Sequence, residues 1–165
     1  MNRIIRWVVG HFFMLPFSVY FLILSLFIGR KRAAGKTGKM ITNFSALFIN
    51  SMIPEMHNQS NFIEFKNTLI KNFMSYTFLY DIDIQEETNE KVAFKIHNCP
   101  FTSALKDYGT KELCKYACAG DFKIARNNKL NWQFKRTHSH GTDGQCCNPS
   151  YFMVKESNNK ADECL

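Results

Sequence analysis

An apolar segment near the N-terminus constrains the fold of this chain more than any other feature. Residues 7–28 carry no charged side chain, and their polar groups are His11 and two serines. A helix of these 22 residues, rising about 1.5 Å per residue, crosses the hydrocarbon layer of a bilayer, which is about 30 Å thick. Trp7 stands at one end, where an indole ring favours the membrane interface. The segment therefore predicts an N-terminal transmembrane helix.

Two other interpretations of this segment stay open. A cleaved signal peptide has an apolar region of about 7–15 residues that ends in small side chains. Here the apolar run is longer and ends in F-I-G-R-K-R, which favours a retained anchor. A buried helix of a soluble domain is the second alternative.

Basic residues cluster on both sides of the apolar segment. Seven of the 21 Lys and Arg residues lie there, namely Arg3, Arg6, Arg30, Lys31, Arg32, Lys36 and Lys39. The net charge is +7, and this placement of the basic residues suits membrane topology and lipid headgroups. The sequence contains no aromatic-basic RNA motif, so we expect no nucleic-acid partner. Because more basic residues follow the segment than precede it, we expect a single-pass membrane protein whose C-terminal domain faces the cytoplasm.

The composition along the chain predicts four parts. Residues 1–29 are the membrane anchor, 30–39 a basic linker, 40–156 an α+β domain and 157–165 a polar tail. The linker contains A-A-G-K-T-G-K, but Arg30 occupies the first glycine position that a phosphate-binding loop requires. We therefore expect a solvated linker that faces lipid headgroups.

Periodicity predicts the elements of the domain. Helical spacing covers residues 40–53 and 59–76, and the period then changes to two in 78–85 and 91–96, which is typical of a β-hairpin. The remaining predicted elements are a helix from 110 to about 126, a third strand over 130–139 and a fourth over 151–155. Together these elements predict an antiparallel sheet of about four strands, covered on one face by helices.

Residues 110–121 carry the densest set of reactive groups and read T-K-E-L-C-K-Y-A-C-A-G-D. On a continuous helix that turns about 100° per residue, Cys114, Cys118 and Asp121 fall within roughly 60° of one another. Two thiols and a carboxylate on one helix face predict a site, with a surface or capping role as the alternative for Asp121.

The six cysteines have three other possible uses. Disulfides need an oxidising compartment, which the expected cytoplasmic placement argues against. Structural zinc is the second alternative, although C-x3-C is not the usual C-x2-C spacing, and its ligands are Cys99, Cys114, Cys118 and Cys147. Burial of thiols as small apolar side chains is the third.

Arg136 is the most informative basic residue of the domain. On the predicted third strand it shares a face with Trp132 and Phe134, so its guanidinium points toward the covered side. An inward guanidinium needs an anion, which is either Asp121 or a substrate carboxylate. An exposed position at the end of the strand is the alternative. His138 lies on the same predicted face.

The order of motifs over residues 94–152 resembles a known family. The motifs are C-P at Cys99, then G-x-x-E-L-C-x-x-x-C-x-x-D from Gly109, then R-T at Arg136, and finally Gly144 and C-N at Cys147. This order resembles the L-2-amino-thiazoline-4-carboxylic acid hydrolase family. The chain departs from the family pattern at Asn148, where the family tends to have Asp, and in its doubled Cys146-Cys147.

The resemblance implies a hydrolase that acts on a non-peptide C–N bond of a small molecule. Its name implies conversion of a cyclic 2-aminothiazoline carboxylate to N-carbamoyl cysteine. We expect no cofactor, with zinc as the alternative. In this hypothesis a thiolate of Cys114 or Cys118 attacks the amidine-like carbon, and Asp121 moves protons. The other candidate catalytic residues are Cys99 and Cys147, and the candidate substrate-binding residues are Arg136, Thr137 and His138.

Two further interpretations compete with this membrane-anchored hydrolase. One is a binding module without catalysis, in which aromatic side chains line an apolar pocket and the cysteines hold zinc. The other is a tethered domain that has lost its activity. The sequence does not indicate the substrate or the oligomeric state.

Overall fold

The computed structural model describes residues 2–56, 61–128, 132–142 and 144–154. In chain order its elements are α1 (Asn2–Ile28), α2 (Arg30–Asn50), α3 (Phe62–Ser75), β1 (Ile82–Glu87), β2 (Lys91–Ile96), α4 (Pro100–Asp107), a 3-10 turn (Lys111–Leu113), α5 (Cys114–Ala117), α6 (Gly120–Asn127), β3 (Trp132–Lys135) and β4 (Ser150–Met153). This composition confirms the predicted α+β class.

The four strands form one antiparallel sheet with the order β1-β2-β4-β3. The last strand therefore lies in the middle, between β2 and β3, and confirms the predicted sheet of about four strands. Tyr151 on β4 pairs with Val92 on one side and with Phe134 on the other. Its buried ring is thus at the centre of the sheet.

Helix α3 covers the sheet through one apolar stripe. Phe65, Leu69 and Phe73 recur at helical spacing and are buried, as the sequence predicts. The Phe73 ring stacks on Phe94 of β2 with centroids 4.4 Å apart. Each such side chain contributes about 1.5–3 kcal/mol when it is fully removed from water.

A second apolar core lies among α1, α2 and α4. Met14 and Phe21 of α1 pack there with Ile41 of α2 and Leu105 of α4. Between α1 and α2 the chain reverses at Gly29, whose φ of 76° lies in the left-handed region that favours glycine. Helix α1 is therefore packed against the domain rather than separated from it.

Helix α1 also has the properties of a membrane span. Residues Arg3–Ile28 are long and apolar enough to cross a bilayer, and 17% of the most apolar stretch is buried. By length and composition this is a candidate span, a criterion that a signal sequence or a core helix also meets.

The expectation of a solvated linker over residues 30–39 is wrong, because these residues form the first half of α2. Ala33, Ala34, Thr37 and Gly38 are buried there. A Cβ on Gly38 would lie 2.5 Å from the Tyr116 ring, so the glycine allows close packing on α5. Tertiary packing outweighs the low helix propensity of this glycine-containing stretch.

The boundaries at residues 29, 39 and 156 stay a prediction, and 157–165 lie outside the described residues.

Other element boundaries differ from the predicted ones. Helix α4 lies in a part of the chain for which no helix or strand was predicted, and it begins at Pro100, where the missing N–H of proline costs nothing. Strand β1 begins at Ile82 rather than at 78, because residues 76–79 form a turn. Strand β3 ends at Lys135, so Arg136 and His138 follow the strand instead of lying on it.

Candidate active site

A cavity of about 90 Å³ lies between the α1–α2 layer and the sheet. Most of its wall is apolar and is formed by Met14, Ile41, Phe44, Phe48, Ile49, Met52, Phe73, Ile96, Phe101 and Ala117. The polar groups on the wall include the three thiols of Cys99, Cys118 and Cys147, together with Tyr80, Asp121 and Arg136. The cavity therefore combines apolar walls with a set of nucleophilic and ionisable side chains.

The segment expected to form one continuous helix is broken at Cys118, and that prediction is wrong. Its carbonyl groups accept hydrogen bonds from side chains of other elements, namely Tyr116 O from Thr42, Ala117 O from Ser45 and Cys118 O from Arg136. These contacts replace the regular helical hydrogen bonds and separate α5 from α6. Cys118 and Asp121, on the two sides of this break, line the cavity, whereas Cys114 at the start of α5 does not.

Cys114 is a buried thiol of the helical core. Its side chain is 2% exposed, and its sulfur lies 3.6 Å from the carbonyl oxygen of Thr102. Burial raises the pKa of Cys114 to about 11. The thiol is therefore protonated at neutral pH and is oriented toward α4.

Asp121 and Arg136 form a buried ion pair beside the thiols. The guanidinium donates to the Asp121 carboxylate and to the carbonyl oxygen of Cys118, and its other face packs on the Phe122 ring at 4.8 Å. Burial raises the pKa of Asp121, while the positive charge of Arg136 opposes this shift. Of the two anions that the sequence allowed for Arg136, the structure contains Asp121 at the guanidinium.

The Cys118 and Cys147 side chains interact directly. The Cys118 thiol is hydrogen-bonded to the Cys147 sulfur, and this bond, together with burial, raises the pKa of Cys118. The backbone N–H of His140 also donates to the Cys147 sulfur, at 3.4 Å. Cys147 is thus the sulfur at which two hydrogen bonds converge.

Cys99 completes the group of thiols on the cavity wall. It occupies the N-cap position of α4, immediately before Pro100. Burial raises the pKa of Cys99 to about 11, so this thiol is protonated at neutral pH. It differs in this respect from a reactive thiol, which has a lowered pKa.

The loop after β3 positions Cys147. The backbone N–H of Cys147 donates to Ile96 O at 2.9 Å, and Ile96 N–H donates to Cys147 O at 2.8 Å, which joins the loop to β2. A Cβ on Gly141 would lie 2.9 Å from the Cys118 sulfur and 2.4 Å from the Cys114 carbonyl oxygen. Only glycine allows the loop to approach the thiols this closely.

Thr137 and His138, which the sequence predicts to bind substrate, lie outside the cavity wall. Both are exposed, and both backbone N–H groups donate to Asn148 Oδ1, at 3.1 and 2.7 Å. The Asn148 amide also donates to the Thr137 hydroxyl at 2.7 Å. Asn148, the departure from the family pattern, therefore holds the two ends of this loop together.

Tyr80 and Tyr151 are cavity residues that the sequence analysis missed. Burial raises the pKa of both phenols well above the usual value, and the nearby Cys99 and Asp121 add to the shift of Tyr80. In the sequence Tyr80 belongs to the alternating run 78–85, and its neighbours in the chain give no sign that its role differs from that of any buried strand residue. Met14, a third cavity residue, lies on α1 in the segment that the sequence predicts to be the membrane anchor.

The described ranges, which exclude 57–60 and 129–131 among others, contain no group of three or more His, Cys, Asp or Glu side chains that could hold a metal ion. In the zinc set that the sequence allows, Cys114 turns its sulfur to Thr102, while the other three thiols line the cavity. Zinc stays an alternative that a metal analysis must test.

Comparison with known proteins matches most of the chain, including the polar cavity residues, to one family model. The family model described as L-2-amino-thiazoline-4-carboxylic acid hydrolase matches residues 17–151. The match begins within α1 and ends in β4, and it includes all the polar cavity residues named above. No curated protein and no solved structure matched the chain.

Proposed function

The chain belongs to the L-2-amino-thiazoline-4-carboxylic acid hydrolase family, and we propose that it opens a cyclic 2-aminothiazoline carboxylate, or a related small cyclic amidine, by cysteine chemistry. The family description supports a hydrolase-like function and a small-molecule substrate. One observation carries the proposal: the thiols of Cys118 and Cys147 share one cavity wall with the buried Asp121–Arg136 pair.

The hydrogen bonds favour Cys147 over Cys118 as the nucleophile. The raised pKa of Cys118, caused by its hydrogen bond to Cys147 and by burial, keeps Cys118 protonated at neutral pH and makes it the poorer nucleophile of the two. The His140 N–H donates to the Cys147 sulfur. Donors aimed at an anionic sulfur stabilise the thiolate, which is the reactive form of cysteine. The role proposed from sequence for Cys114 loses support, because this thiol is outside the cavity.

The proposed reaction has two steps that balance. The Cys147 thiolate adds to the amidine carbon of the ring, the bond from that carbon to the ring sulfur breaks, and the departing sulfur takes a proton. Water then adds to the same carbon, and Cys147 leaves as a thiolate. The product is N-carbamoyl cysteine, which keeps both nitrogen atoms of the amidine carbon. For this product the bond that opens is C–S, whereas loss of the exocyclic amine as ammonia would break a C–N bond.

The ion pair supplies charge and proton transfer in this proposal. Asp121 is buried on the cavity wall, and its raised pKa suits a carboxyl group that accepts and returns a proton. Arg136 already donates to Asp121 and to Cys118 O, so we propose that it orients Asp121 and provides a positive field. Binding of the substrate carboxylate by Arg136 requires a donor that these two contacts do not use.

Turnover of 2-aminothiazoline-4-carboxylate by the full-length chain tests the proposal. New thiol groups measure C–S opening, and ammonia measures C–N cleavage. We expect Cys147→Ser to lower turnover by about 10³-fold or more, because removal of a nucleophile eliminates the covalent route. Cys146→Ser is the matched control, since Cys146 is adjacent in sequence but is not on the cavity wall.

The outcomes of this test separate the candidate nucleophiles. Undiminished turnover by Cys147→Ser would overturn its role, and loss of turnover only in Cys118→Ser would return the role to Cys118. If wild-type protein releases neither thiol nor ammonia from any cyclic amidine carboxylate offered, the hydrolase proposal fails.

A binding module without catalysis is the second candidate function. The apolar cavity walls and the raised thiol pKa values of Cys99 and Cys114 favour it, because protonated buried thiols act as small apolar groups. Metal analysis of the purified protein distinguishes the two. Stoichiometric zinc, lost together with ligand binding on chelation, supports the module, whereas a metal-free protein with turnover supports the hydrolase.

Membrane attachment through α1 is part of the proposed function. The sequence predicts a single-pass span with the domain in the cytoplasm, and this topology stays a prediction. The hydropathy of α1 alone does not distinguish a span from other modes of attachment.

A further inference from the structure

We infer that α1 attaches this protein to an anionic bilayer by lying in the plane of the membrane interface rather than by crossing the membrane. Its apolar outer face contacts the acyl chains, and the basic residues beside it contact anionic headgroups. The inference rests on how α1 packs and is independent of the proposed catalysis.

One face of α1 is apolar and exposed along the whole helix. Val8, Phe12, Leu15, Val19 and Leu26 recur at intervals of three, four or seven residues, and each is exposed. Phe12 is 74% exposed and Leu26 is 83% exposed. A soluble monomer rarely exposes a continuous apolar stripe of this length, so the face requires an apolar environment.

The opposite face of α1 is docked on the domain from one end to the other. Near the start Arg6 forms a bidentate pair with Asp81, at 2.6 and 2.7 Å. A Cβ on Gly10 would lie 2.3 Å from the Pro100 carbonyl oxygen, so the helix backbone touches α4. Farther along, the Ser18 hydroxyl contacts the Thr110 hydroxyl at 3.2 Å. The helix is therefore held at several points along its length.

These contacts make a membrane crossing costly. If α1 crossed the bilayer while docked, the adjacent α4 would enter the hydrocarbon layer with Lys106 and Asp107, and so would the His11–Asp107 contact at 3.2 Å. If α1 instead left the domain to cross the bilayer, the core around Leu105 would lose Met14 and Phe21. An in-plane helix avoids both costs, because the protein covers one face and lipid covers the other.

The charge distribution indicates an anionic surface. The chain has no Asp or Glu before Glu55, whereas it has seven basic residues in that stretch. Arg6 and Arg30 pair with acidic groups of the domain. The other five are exposed, namely Arg3, Lys31, Arg32, Lys36 and Lys39. Helix α2 packs along α1, so its exposed basic residues lie on the helix adjacent to the apolar stripe, and their positive charge fits headgroups that carry negative charge.

Protease protection in sealed vesicles distinguishes the two arrangements. The full-length chain carries one epitope tag at each terminus and is reconstituted into phosphatidylcholine vesicles with and without phosphatidylserine. We expect each molecule to have both tags on the same side, so external protease removes both or neither. A protected fragment that keeps one tag only would overturn the inference in favour of a span, and loss of the N-terminal tag during expression would indicate a cleaved signal.

Substitutions on α1 and α2 test the surface itself. We expect Phe12→Asp combined with Leu26→Asp to abolish vesicle binding while circular dichroism shows an unchanged fold. Lys36→Glu and Lys39→Glu should each weaken binding to phosphatidylserine vesicles by about fivefold or more, with little effect on neutral vesicles. Lys71→Glu on α3 is the matched charge control. Wild-type protein that stays in solution, or binds neutral and anionic vesicles equally, contradicts the inference.

Discussion

The cysteine side chains of this protein are chemically identical, but their surroundings in the folded chain differ. Cys114 is enclosed by the helical core, Cys99 is the N-cap of a helix, and Cys118 shares the cavity wall with Cys147. Each of these environments acts differently on the thiol, because burial opposes the charged form and hydrogen-bond donors favour it. Reactivity in this cavity is therefore set by contacts made across distant parts of the chain.

The raised thiol pKa values predict a loss of stability at alkaline pH. The pKa of Cys114 is about 11 in the folded protein, against 9.0 for an ordinary cysteine thiol. Between these values the unfolded chain has lost the proton and the folded chain retains it, so stability falls as pH rises. The slope is about 1.4 kcal/mol per pH unit for one such group.

Urea unfolding at about pH 8 and about pH 10 measures this effect. We expect Cys114→Ser to reduce the alkaline loss of unfolding free energy by about 1.3 kcal/mol relative to wild type. Cys146→Ser is the control. An identical pH dependence of wild type and Cys114→Ser would show that this thiol does not carry a raised pKa.

At the scale of elements, the helices are positioned by close backbone approaches as much as by side chains. Helix α1 touches α4 at Gly10, α2 meets α5 at Gly38, and the loop after β3 meets α5 at Gly141. A Cβ at any of these positions would overlap a neighbouring group. In the sequence Gly10 is part of the predicted membrane helix, and Gly38 and Gly141 lie outside the predicted helices and strands, yet all three allow the layers around the cavity to pack closely.

A pair of glycine substitutions tests the docking of α1. Gly10→Ala should destabilise the protein by about 1–3 kcal/mol, because the new Cβ overlaps the Pro100 carbonyl group and separates α1 from α4. Gly35→Ala on α2 meets no atom within 4 Å and should be neutral or stabilise the helix by up to about 1 kcal/mol. Thermal and urea unfolding measure both variants. Equal stability of Gly10→Ala and Gly35→Ala would indicate that α1 is not docked.

At the scale of the whole molecule, α1 has two environments at once. Its inner face completes a core and contributes Met14 to the cavity wall, and its outer face is apolar and exposed. The helix is therefore apolar nearly all round, a pattern that in sequence is indistinguishable from a membrane span. The cavity and the attachment surface are formed by opposite sides of the same helix.

Deletion of residues 2–28 tests whether the domain folds without α1. Burial of Met14 and Phe21 alone contributes about 3–6 kcal/mol, a large part of the roughly 5–15 kcal/mol that stabilises a typical domain. We therefore expect the shortened chain to lack a cooperative unfolding transition. Phe12→Asp combined with Leu26→Asp, which alters only the outer face, should retain one. A shortened chain that melts as cooperatively as wild type would support the predicted domain boundary near residue 40.

Much of the fold could be predicted from local patterns. Apolar spacing identified the helix at residues 62–75 and the strand at 91–96. The buried face of an element takes apolar side chains, which recur every three or four residues in a helix and every second residue in a strand. The motif order identified the family. The guanidinium of Arg136 is buried against Asp121, one of the two anions that the sequence allowed, although Arg136 follows the strand rather than lying on it. These features depend on residues that are close in sequence or on the chemistry of single side chains.

The candidate site itself depended on contacts between distant segments. Side chains of α2 and Arg136 donate to the carbonyl groups of residues 116–118, and the expected helix ends at Ala117 and resumes at Gly120. Tyr80, Tyr151 and Met14 reach the cavity from three different elements. Periodicity indicates which face of an element is buried but not which element covers it. For this reason the sequence alone indicated that the cysteines belong to a site and that the apolar segment is a helix. Only the packing of the layers established which residues contact the thiols and the helix.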